Sequence, residues 1–160
     1  MNHTHYECCS CHSNPPCSFC VDTFECDVCG DRHYADDENQ FENKEGFVCV
    51  DCYLKSVKKL HLVLTAEWFD MIEQLIKKHE YRSFTDFWCR RLFDYSKATE
   101  DDLPFKEFDV VEFQHGYSKK ARRMIVEFKG IGLGLGKPEW GGSKSVVFII
   151  KLGNILHRNF

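Results

Sequence analysis

The sequence predicts an α+β protein in two parts: a small cysteine-rich domain over residues 1–56 and a mixed β-barrel with flanking helices over residues 57–160. Three observations lead to this prediction. Nine of the ten cysteines lie between Cys8 and Cys52. Apolar periodicity in the second part follows the order strand, helix, helix and four strands. Charge also changes sign at the boundary, because residues 1–56 carry eleven acidic and three basic side chains whereas residues 57–160 carry fourteen acidic and eighteen basic ones.

Length and composition exclude several classes of protein. The chain has 160 residues, of which 43% are hydrophobic and 29% charged, as in ordinary globular proteins. Its longest uncharged apolar run, residues 146–150, is far shorter than the roughly 20 residues that span a bilayer. The amino terminus has neither the basic patch nor the apolar core of a signal peptide. We therefore expect no membrane partner and a reducing, cytoplasmic location, which is the host cytoplasm if a phage encodes the chain.

The strongest motif consists of two Cys-x-x-Cys pairs. Cys26 and Cys29 are separated by nineteen residues from Cys49 and Cys52, a spacing typical of zinc sites with four cysteine ligands. Gly30 follows the first pair and permits the positive φ of a tight knuckle. A short hairpin is expected between the pairs and a helix after the second pair. This element resembles a treble-clef or LIM-like zinc finger.

A second, more compact group of cysteines predicts a second zinc ion. Its expected ligands are Cys8, Cys11, Cys17 and Cys20. Competing ligands are present in the same segment, namely Cys9, His3, His5 and His12. An interleaved arrangement, in which the first pair shares a metal ion with the third and the second pair with the fourth, also stays open.

The acidic character of residues 1–56 argues against nucleic acid as their partner, because phosphate contacts need the opposite charge. Four-thiolate coordination would add further negative charge. We expect instead a protein partner for this domain, or simple structural attachment to the second domain. Catalysis at the metal is not expected, since a four-cysteine site leaves no open coordination position.

The second domain begins with a predicted strand over residues 60–64. Thr65 is placed as the N-cap of a helix that runs to about Lys78, and its apolar positions are Phe69, Ile72, Leu75 and Ile76. A second helical stretch opens at residues 83–86. Its aromatic and apolar side is assigned to the core: Phe84, Phe87, Trp88, Leu92 and Phe93.

Four strands are predicted after the helices. Residues 108–113 and 122–129 alternate with period two around a turn at Gly116 and pair plausibly as a hairpin. A third run covers residues 131–136, where glycine alternates with apolar residues. Residues 145–152 form a fourth run whose continuous apolar character is typical of a strand covered on both faces.

Segments spread through this domain together resemble a known family. They are residues 62–64 (LVL), 68–72 (WFDMI), 77–82 (KKHEYR), 88–92 (WCRRL), 113–130, 136–141 (GKPEWG) and 148–153 (FIIKLG). In order and spacing they resemble the ASCH domain, the activating-signal-cointegrator homology group of the PUA-like superfamily, in the form often carried by phages and their hosts. The resemblance implies a PUA-like β-barrel whose cleft suits RNA or a modified nucleobase.

Some ASCH proteins are similar to bacterial acetylcytidine amidohydrolases, which use a Gly-x-Lys-Thr-x-x-x-Arg stretch and a glutamate from a later strand. By position, the resemblance implies that Lys77 matches the lysine, Arg82 the arginine and Glu127 the glutamate. Leu75 replaces the motif glycine and Lys78 the threonine, while Glu80 occupies the position of the catalytic hydroxyl residue. A mechanism with a threonine nucleophile is therefore not supported.

The residues themselves also make Lys77, Glu80 and Glu127 candidates for catalysis. If Glu127 faces a cleft with Lys77, the pair could shift both pKa values toward neutrality and support acid–base chemistry. The alternative interpretation is that Lys77 and Glu80 form an ion pair at a helix end and that Glu127 is solvated. Such residues could equally line a cleft that only binds a ligand.

A basic and aromatic cluster suggests contact with single-stranded RNA, whose phosphates meet cations and whose bases stack on rings. It is predicted to contain Tyr117, Lys119, Lys120, Arg122, Arg123 and Trp140, together with Arg82. The competing interpretation is an ordinary solvated hairpin loop.

Three functional hypotheses follow from these observations. The first is a zinc-binding ASCH-domain protein, such as a phage-encoded regulator, that binds RNA or a modified nucleoside. The second is an amidohydrolase-type enzyme that acts on an acylated cytidine. The third is a host-takeover adaptor that binds a protein through its acidic zinc finger.

Overall fold

The computed structural model describes residues 22–35 and 40–159. The chain divides into two compact units between Ser56 and Val57, and each is described here by itself. None of the helices in the described ranges has both the length and the apolar character needed to cross a bilayer.

The amino-terminal unit is built from two hairpins and a helix. Strand β1 (Thr23–Glu25) pairs antiparallel with β2 (Arg32–Tyr34), and β3 (Gln40–Asn43) pairs antiparallel with β4 (Gly46–Cys49). Helix α1 (Val50–Ser56) begins directly after β4. The small core consists of Cys26, Val48, Cys49 and Cys52, with Phe24, Phe41 and Tyr53 packed against it.

Asp27 joins the first hairpin to the second. Its backbone N–H donates to the carbonyl of Phe47 at 2.9 Å, and its carboxylate accepts from the N–H of Phe47 at 2.8 Å. Gly46 leaves room for this contact, since a Cβ there would lie 2.3 Å from the Asp27 carboxylate. These bonds hold the turn that carries Cys26 and Cys29 against β4.

The carboxyl-terminal unit is a curled sheet of five strands, a half-barrel, with two helices. Its elements in chain order are β5 (Lys59–Leu64), α2 (Ala66–Glu73), β6 (His79–Ser83), α3 (Asp86–Leu92), β7 (Val110–His115), β8 (Arg123–Leu135) and β9 (Val146–Asn159). The strand order is β5-β7-β8-β9-β6. Only β5 and β7 are parallel, and every other neighbouring pair is antiparallel. The architecture is thus α+β, as the sequence predicts.

Alternation along the strands builds the core of this unit. On β5, Leu60, Leu62 and Leu64 are buried while Lys59 and His61 are not, the pattern expected of a strand with one apolar face. Phe69 and Ile72 from α2 join the same cluster. The remaining members of the cluster are Leu92, Phe93, Val111, Phe113, Met124, Val126, Phe148 and Ile150.

The helix predicted from Thr65 to Lys78 is correct in its start but wrong in its end. Helix α2 stops at Glu73, and Leu75 adopts a left-handed conformation with φ of 61°. The N–H groups of Ile76 and Lys77 both donate to the carbonyl of Met71, so the chain turns sharply out of the helix. Consequently Leu75 and Ile76 are half exposed instead of joining the core.

Two further expectations need correction. The runs over residues 122–129 and 131–136 form one strand, β8, whose pairing with β9 is irregular between Ile125 and Ile131. The predicted place of Phe84 and Phe87 in the core is wrong, since these side chains are 52% and 64% exposed, and the residue that α3 buries is Leu92.

The sheet has a seam between its outer strands, β5 and β6. No backbone pairing joins these two strands. Instead Arg82, on β6, donates to the carbonyl of Val63 at 3.3 Å, and Arg91, on α3, donates to the carbonyl of His61. Guanidinium groups thus satisfy carbonyls that a neighbouring strand would otherwise bind.

Candidate functional site

The predicted cysteine ligands of the amino-terminal unit come together. The sulfur atoms of Cys26, Cys29, Cys49 and Cys52 all lie within 4.8 Å of one another, and none of these cysteines is in a disulfide. The first two lie on the turn between β1 and β2, Cys49 ends β4, and Cys52 lies in the first turn of α1. Gly30 has the positive φ, 76°, that the knuckle requires.

The surroundings of the sulfurs differ from one another. Burial raises the pKa of Cys26, but hydrogen bonds from the backbone N–H groups of Cys29, Cys49 and Val28 outweigh burial and lower this pKa to about 6. Burial and the neighbouring thiols raise the pKa of Cys52 to about 12. Four convergent soft sulfur donors could hold a metal ion such as zinc, which favours tetrahedral thiolate coordination.

The second predicted zinc site lies outside the described residues. This applies to Cys8, Cys11, Cys17 and Cys20 and to their competitors His3, His5, Cys9 and His12.

A pocket of about 270 Å³ opens at the seam of the carboxyl-terminal unit. The end of β5 and the start of α2 form one wall, and β6 forms another, while the loop between β8 and β9 contributes the rest. The lining residues are Val63, Leu64, Thr65, Trp68, Lys77, Glu80, Tyr81, Arg82, Trp140 and Gly141.

Three charged side chains meet in this pocket. Lys77 and Glu80 are only 3% and 4% exposed, and Lys77 Nζ lies 2.7 Å from Glu80 Oε2. The other carboxylate oxygen of Glu80 lies 3.1 Å from Arg82 Nη2. Burial lowers the pKa of Lys77, against the opposing effect of the Glu80 charge. Two cations therefore share one buried carboxylate.

Aromatic rings surround these charges. Lys77 Nζ lies 4.7 Å from the centroid of Trp68 and 5.7 Å from that of Tyr81. Trp140 reaches the pocket from the β8–β9 loop, where Gly141 has a φ of 80° and packs closely on Trp68. A Cβ on Gly141 would lie 2.9 Å from the Trp68 ring. Glycine at this position thus allows the loop to lie against the pocket.

Some of the predicted site residues line this pocket together, and others lie elsewhere. Lys77, Glu80, Arg82 and Trp140 line it together. Glu127 is not among the residues that line this pocket. The side chain of Glu127 is 31% exposed, lies 3.4 Å from Lys129 Nζ and accepts the N–H of Asn154 at 2.9 Å. That hydrogen bond and the Lys129 charge lower the pKa of Glu127.

The members of the basic cluster near Gly116 differ in their surroundings, since some form ion pairs and others are exposed. Arg122 forms ion pairs with Asp70 at 3.4 Å and with Glu73 at 2.5 Å, both on α2. Arg123 forms an ion pair with Glu112 at 2.9 Å. Tyr117, Lys119 and Lys120 are exposed in the connecting loop. Carboxylates therefore partly neutralise the predicted basic surface.

Glu112 is the centre of a second charged network. It is 3% exposed and lies 3.0 Å from Lys59 Nζ in addition to its contact with Arg123. Burial raises its pKa, but the hydrogen bond and charge of Lys59, with support from His61 and Arg123, outweigh this and lower the pKa overall.

Sequence reasoning missed Trp68 and Tyr81 as pocket residues. Trp68 sits in the first turn of α2, where the apolar periodicity indicates Phe69 and Ile72 but not Trp68. Tyr81 belongs to β6, a strand that was not predicted. No protein-family model, curated protein or solved structure matches the chain.

Proposed function

We propose that the carboxyl-terminal unit binds a nucleoside, either free or within single-stranded RNA, in the Lys77–Glu80–Arg82 pocket. The observation that carries the proposal is a buried carboxylate, held between two cations, in the lining of an aromatic pocket. Nucleobases are flat rings that stack on aromatic side chains and present donors and acceptors along one edge. A volume of about 270 Å³ suits one such ring with its sugar better than a larger ligand.

The charges favour cytosine-type edges over others. A carboxylate accepts a hydrogen bond from the exocyclic amine of cytosine, and a lysine or arginine donates to the adjacent ring nitrogen or carbonyl oxygen. Glu80 and its two cations offer this combination within one pocket. A buried polar site of this kind also rejects bases that leave its groups without a partner.

The resemblance to ASCH domains supports the same proposal, and two features agree with it. The sheet is curled and mixed, as expected of a PUA-like barrel. The motif glycine of the related amidohydrolases corresponds to Leu75, whose φ of 61° is a conformation that glycine adopts more readily than leucine.

Calorimetric titration of the protein with cytidine, N4-acetylcytidine, uridine, adenosine and guanosine tests this function. We expect a cytidine compound to bind best and Glu80→Gln to weaken its binding at least tenfold, since the substitution removes a charged hydrogen-bond acceptor. Glu127→Gln is the matched control, because Glu127 lies outside the pocket, and it should leave binding unchanged. Absence of binding by every nucleoside, or equal binding by Glu80→Gln, would overturn the proposal.

A second candidate function is hydrolysis of an acylated cytidine. It is favoured by the 2.7 Å contact of Glu80 with Lys77, whose pKa burial lowers. Glu80 would accept a proton from the attacking water, and Lys77 would donate one to the departing amine of the base. Wild-type protein should then release acetate and cytidine from N4-acetylcytidine while Glu80→Gln does not. Binding without product release would leave the site as a binding pocket alone.

For the amino-terminal unit we propose a structural zinc ion held by Cys26, Cys29, Cys49 and Cys52. Four sulfur ligands close the coordination sphere, so this ion would stabilise the fold without taking part in a reaction. Native mass spectrometry of Cys49→Ser should show one zinc ion fewer than wild type. An unchanged zinc content would overturn this assignment, and Cys89→Ser, in the other unit, is the control.

A further inference from the structure

The start of α3 exposes aromatic rings that a globular unit would normally bury. Phe84 is 52% exposed, Phe87 is 64% exposed and Tyr95, just after the helix, is 53% exposed. Phe84 and Tyr95 both contact the ring of the buried Phe93. We call Phe84, Phe87, Trp88, Arg90 and Tyr95 the α3 surface. Exposed aromatic groups of this kind mark interaction sites.

The basic side chains of this region are only partly paired with carboxylates, and Lys97 Nζ lies 3.7 Å from Asp94. Arg90 is exposed and forms no ion pair within residues 22–35 and 40–159. Arg91 donates to the backbone carbonyl of His61 and not to a carboxylate. Lys106 likewise donates to a backbone carbonyl, that of Arg90, at 3.0 Å. The α3 surface therefore combines exposed rings with one cation, Arg90, while Asp86 on the same helix is exposed as well.

Contacts between rings and guanidinium groups connect this surface to the pocket. The ring of Trp88 lies 5.0 Å from the Arg82 guanidinium and 5.2 Å from that of Arg91. Phe87 meets Trp88 edge to face, with ring centroids 5.0 Å apart. Since Arg82 lines the pocket, a continuous path leads from the pocket through Trp88 to Phe87.

We propose that the α3 surface extends the pocket into a track for single-stranded RNA. A nucleotide next to the one in the pocket stacks its base on Phe87, and its phosphate contacts Arg90. Stacking of bases on aromatic rings, together with phosphate contacts to cations, is the general chemistry of single-strand binding. The inference rests on the proposed function of the pocket, and it assigns the RNA contacts to α3 instead of to Lys119 and Lys120.

The test compares an RNA of about eight nucleotides, a typical single-strand site size, with the free nucleoside that binds best. Both affinities are measured on the full zinc-loaded chain for wild type, Phe87→Ala, Arg90→Gln and the double variant Lys119→Gln/Lys120→Gln. Phe87→Ala should weaken RNA binding about tenfold. Arg90→Gln should weaken it and lower the slope of log affinity against log salt by about one. All variants should keep their thermal midpoint, because the changed side chains are exposed.

The outcomes separate this inference from the proposed function. If Phe87→Ala and Arg90→Gln bind RNA as wild type does, or if only the Lys119/Lys120 double variant loses affinity, the α3 track is overturned even though the nucleoside still binds. The exposed rings would then belong to a protein contact. If no nucleoside binds while RNA affinity still falls in Phe87→Ala, the pocket proposal fails and the α3 contacts stand.

Discussion

The two units of this chain are held together by different chemistry. Among the described residues, the core of the amino-terminal unit consists of four residues, three of which are cysteines, whereas that of the carboxyl-terminal unit is a connected cluster of thirteen apolar residues. Small domains rarely bury enough apolar surface to fold without a metal ion or disulfide. We therefore expect the stability of the first unit to depend on the ion proposed above, and that of the second to depend on packing.

The largest expected effect comes from removing the metal ion. Chelation should unfold the amino-terminal unit, because binding of a structural zinc ion contributes on the order of 10 kcal/mol to folding. Amide resonances of residues 22–56 should collapse to random-coil positions while those of β5 to β9 stay in place. Amide resonances that stay dispersed without metal would contradict a metal-dependent fold of this unit.

The next largest effect is the loss of stability expected from a cavity in the core of the carboxyl-terminal unit. Phe113 is fully buried, and Phe113→Ala should lower the free energy of unfolding by about 4 kcal/mol because it leaves a cavity. Denaturant unfolding measures this change, and the zinc content should not alter. Tyr117→Ala, at a side chain that is 90% exposed, should change stability by less than about 0.5 kcal/mol. Similar losses in the two variants would contradict a packing origin.

An intermediate effect is expected at the Glu112 network. Glu112→Gln should cost about 2 kcal/mol at pH 7, a typical value for hydrogen bonds that involve a charged group. The folded-state pKa of Glu112 is lowered, so its contribution is present above the unfolded pKa of about 4.3 and is lost as pH falls through the folded value. The stabilities of wild type and Glu112→Gln should therefore converge in acid. A difference that stays constant with pH would exclude an ionic origin.

The smallest effect concerns backbone strain at Leu75. A left-handed conformation costs an ordinary residue about 1 kcal/mol, and asparagine tolerates it better. Leu75→Asn should therefore raise the free energy of unfolding by about 0.5 kcal/mol. Ile76→Asn is the matched control, since Ile76 is equally half exposed but has an ordinary φ. Equal changes in thermal midpoint would show that polarity, and not the conformation, matters.

Sequence patterns predicted the regular parts of the fold and missed β6. Apolar alternation is strong in β5, β7 and β8, and these strands lie where the pattern indicates. Residues 79–83 (HEYRS) show no such alternation, because Glu80 points into a polar pocket where it replaces an apolar residue. The polar residues that build the site therefore also remove the apolar pattern that would predict this strand.

The candidate site was predictable to the extent that it depends on local spacing. Cys-x-x-Cys pairs and the Lys77–Glu80 pair are near in sequence, so residue type and spacing indicate them. Trp68 and Trp140 line the same pocket although they are far apart in the sequence, and the contacts of Glu127 with Lys129 and Asn154 depend on how β8 pairs with β9. Such long-range geometry has no signature in the local pattern.

The arginine-bridged seam between β5 and β6 has a consequence for the motions of the molecule. A side-chain hydrogen bond from Arg82 connects β6 to β5, and one from Arg91 connects α3 to β5, while backbone ladders hold the other junctions of the sheet. Local openings follow the weakest set of contacts, so we expect the curled sheet to open transiently between β5 and β6. Amide protons of His61 and Val63 should then exchange with deuterium faster than those in β8. Because the pocket lies at the same junction, transient opening between β5 and β6 would also set the rates at which a ligand binds and dissociates.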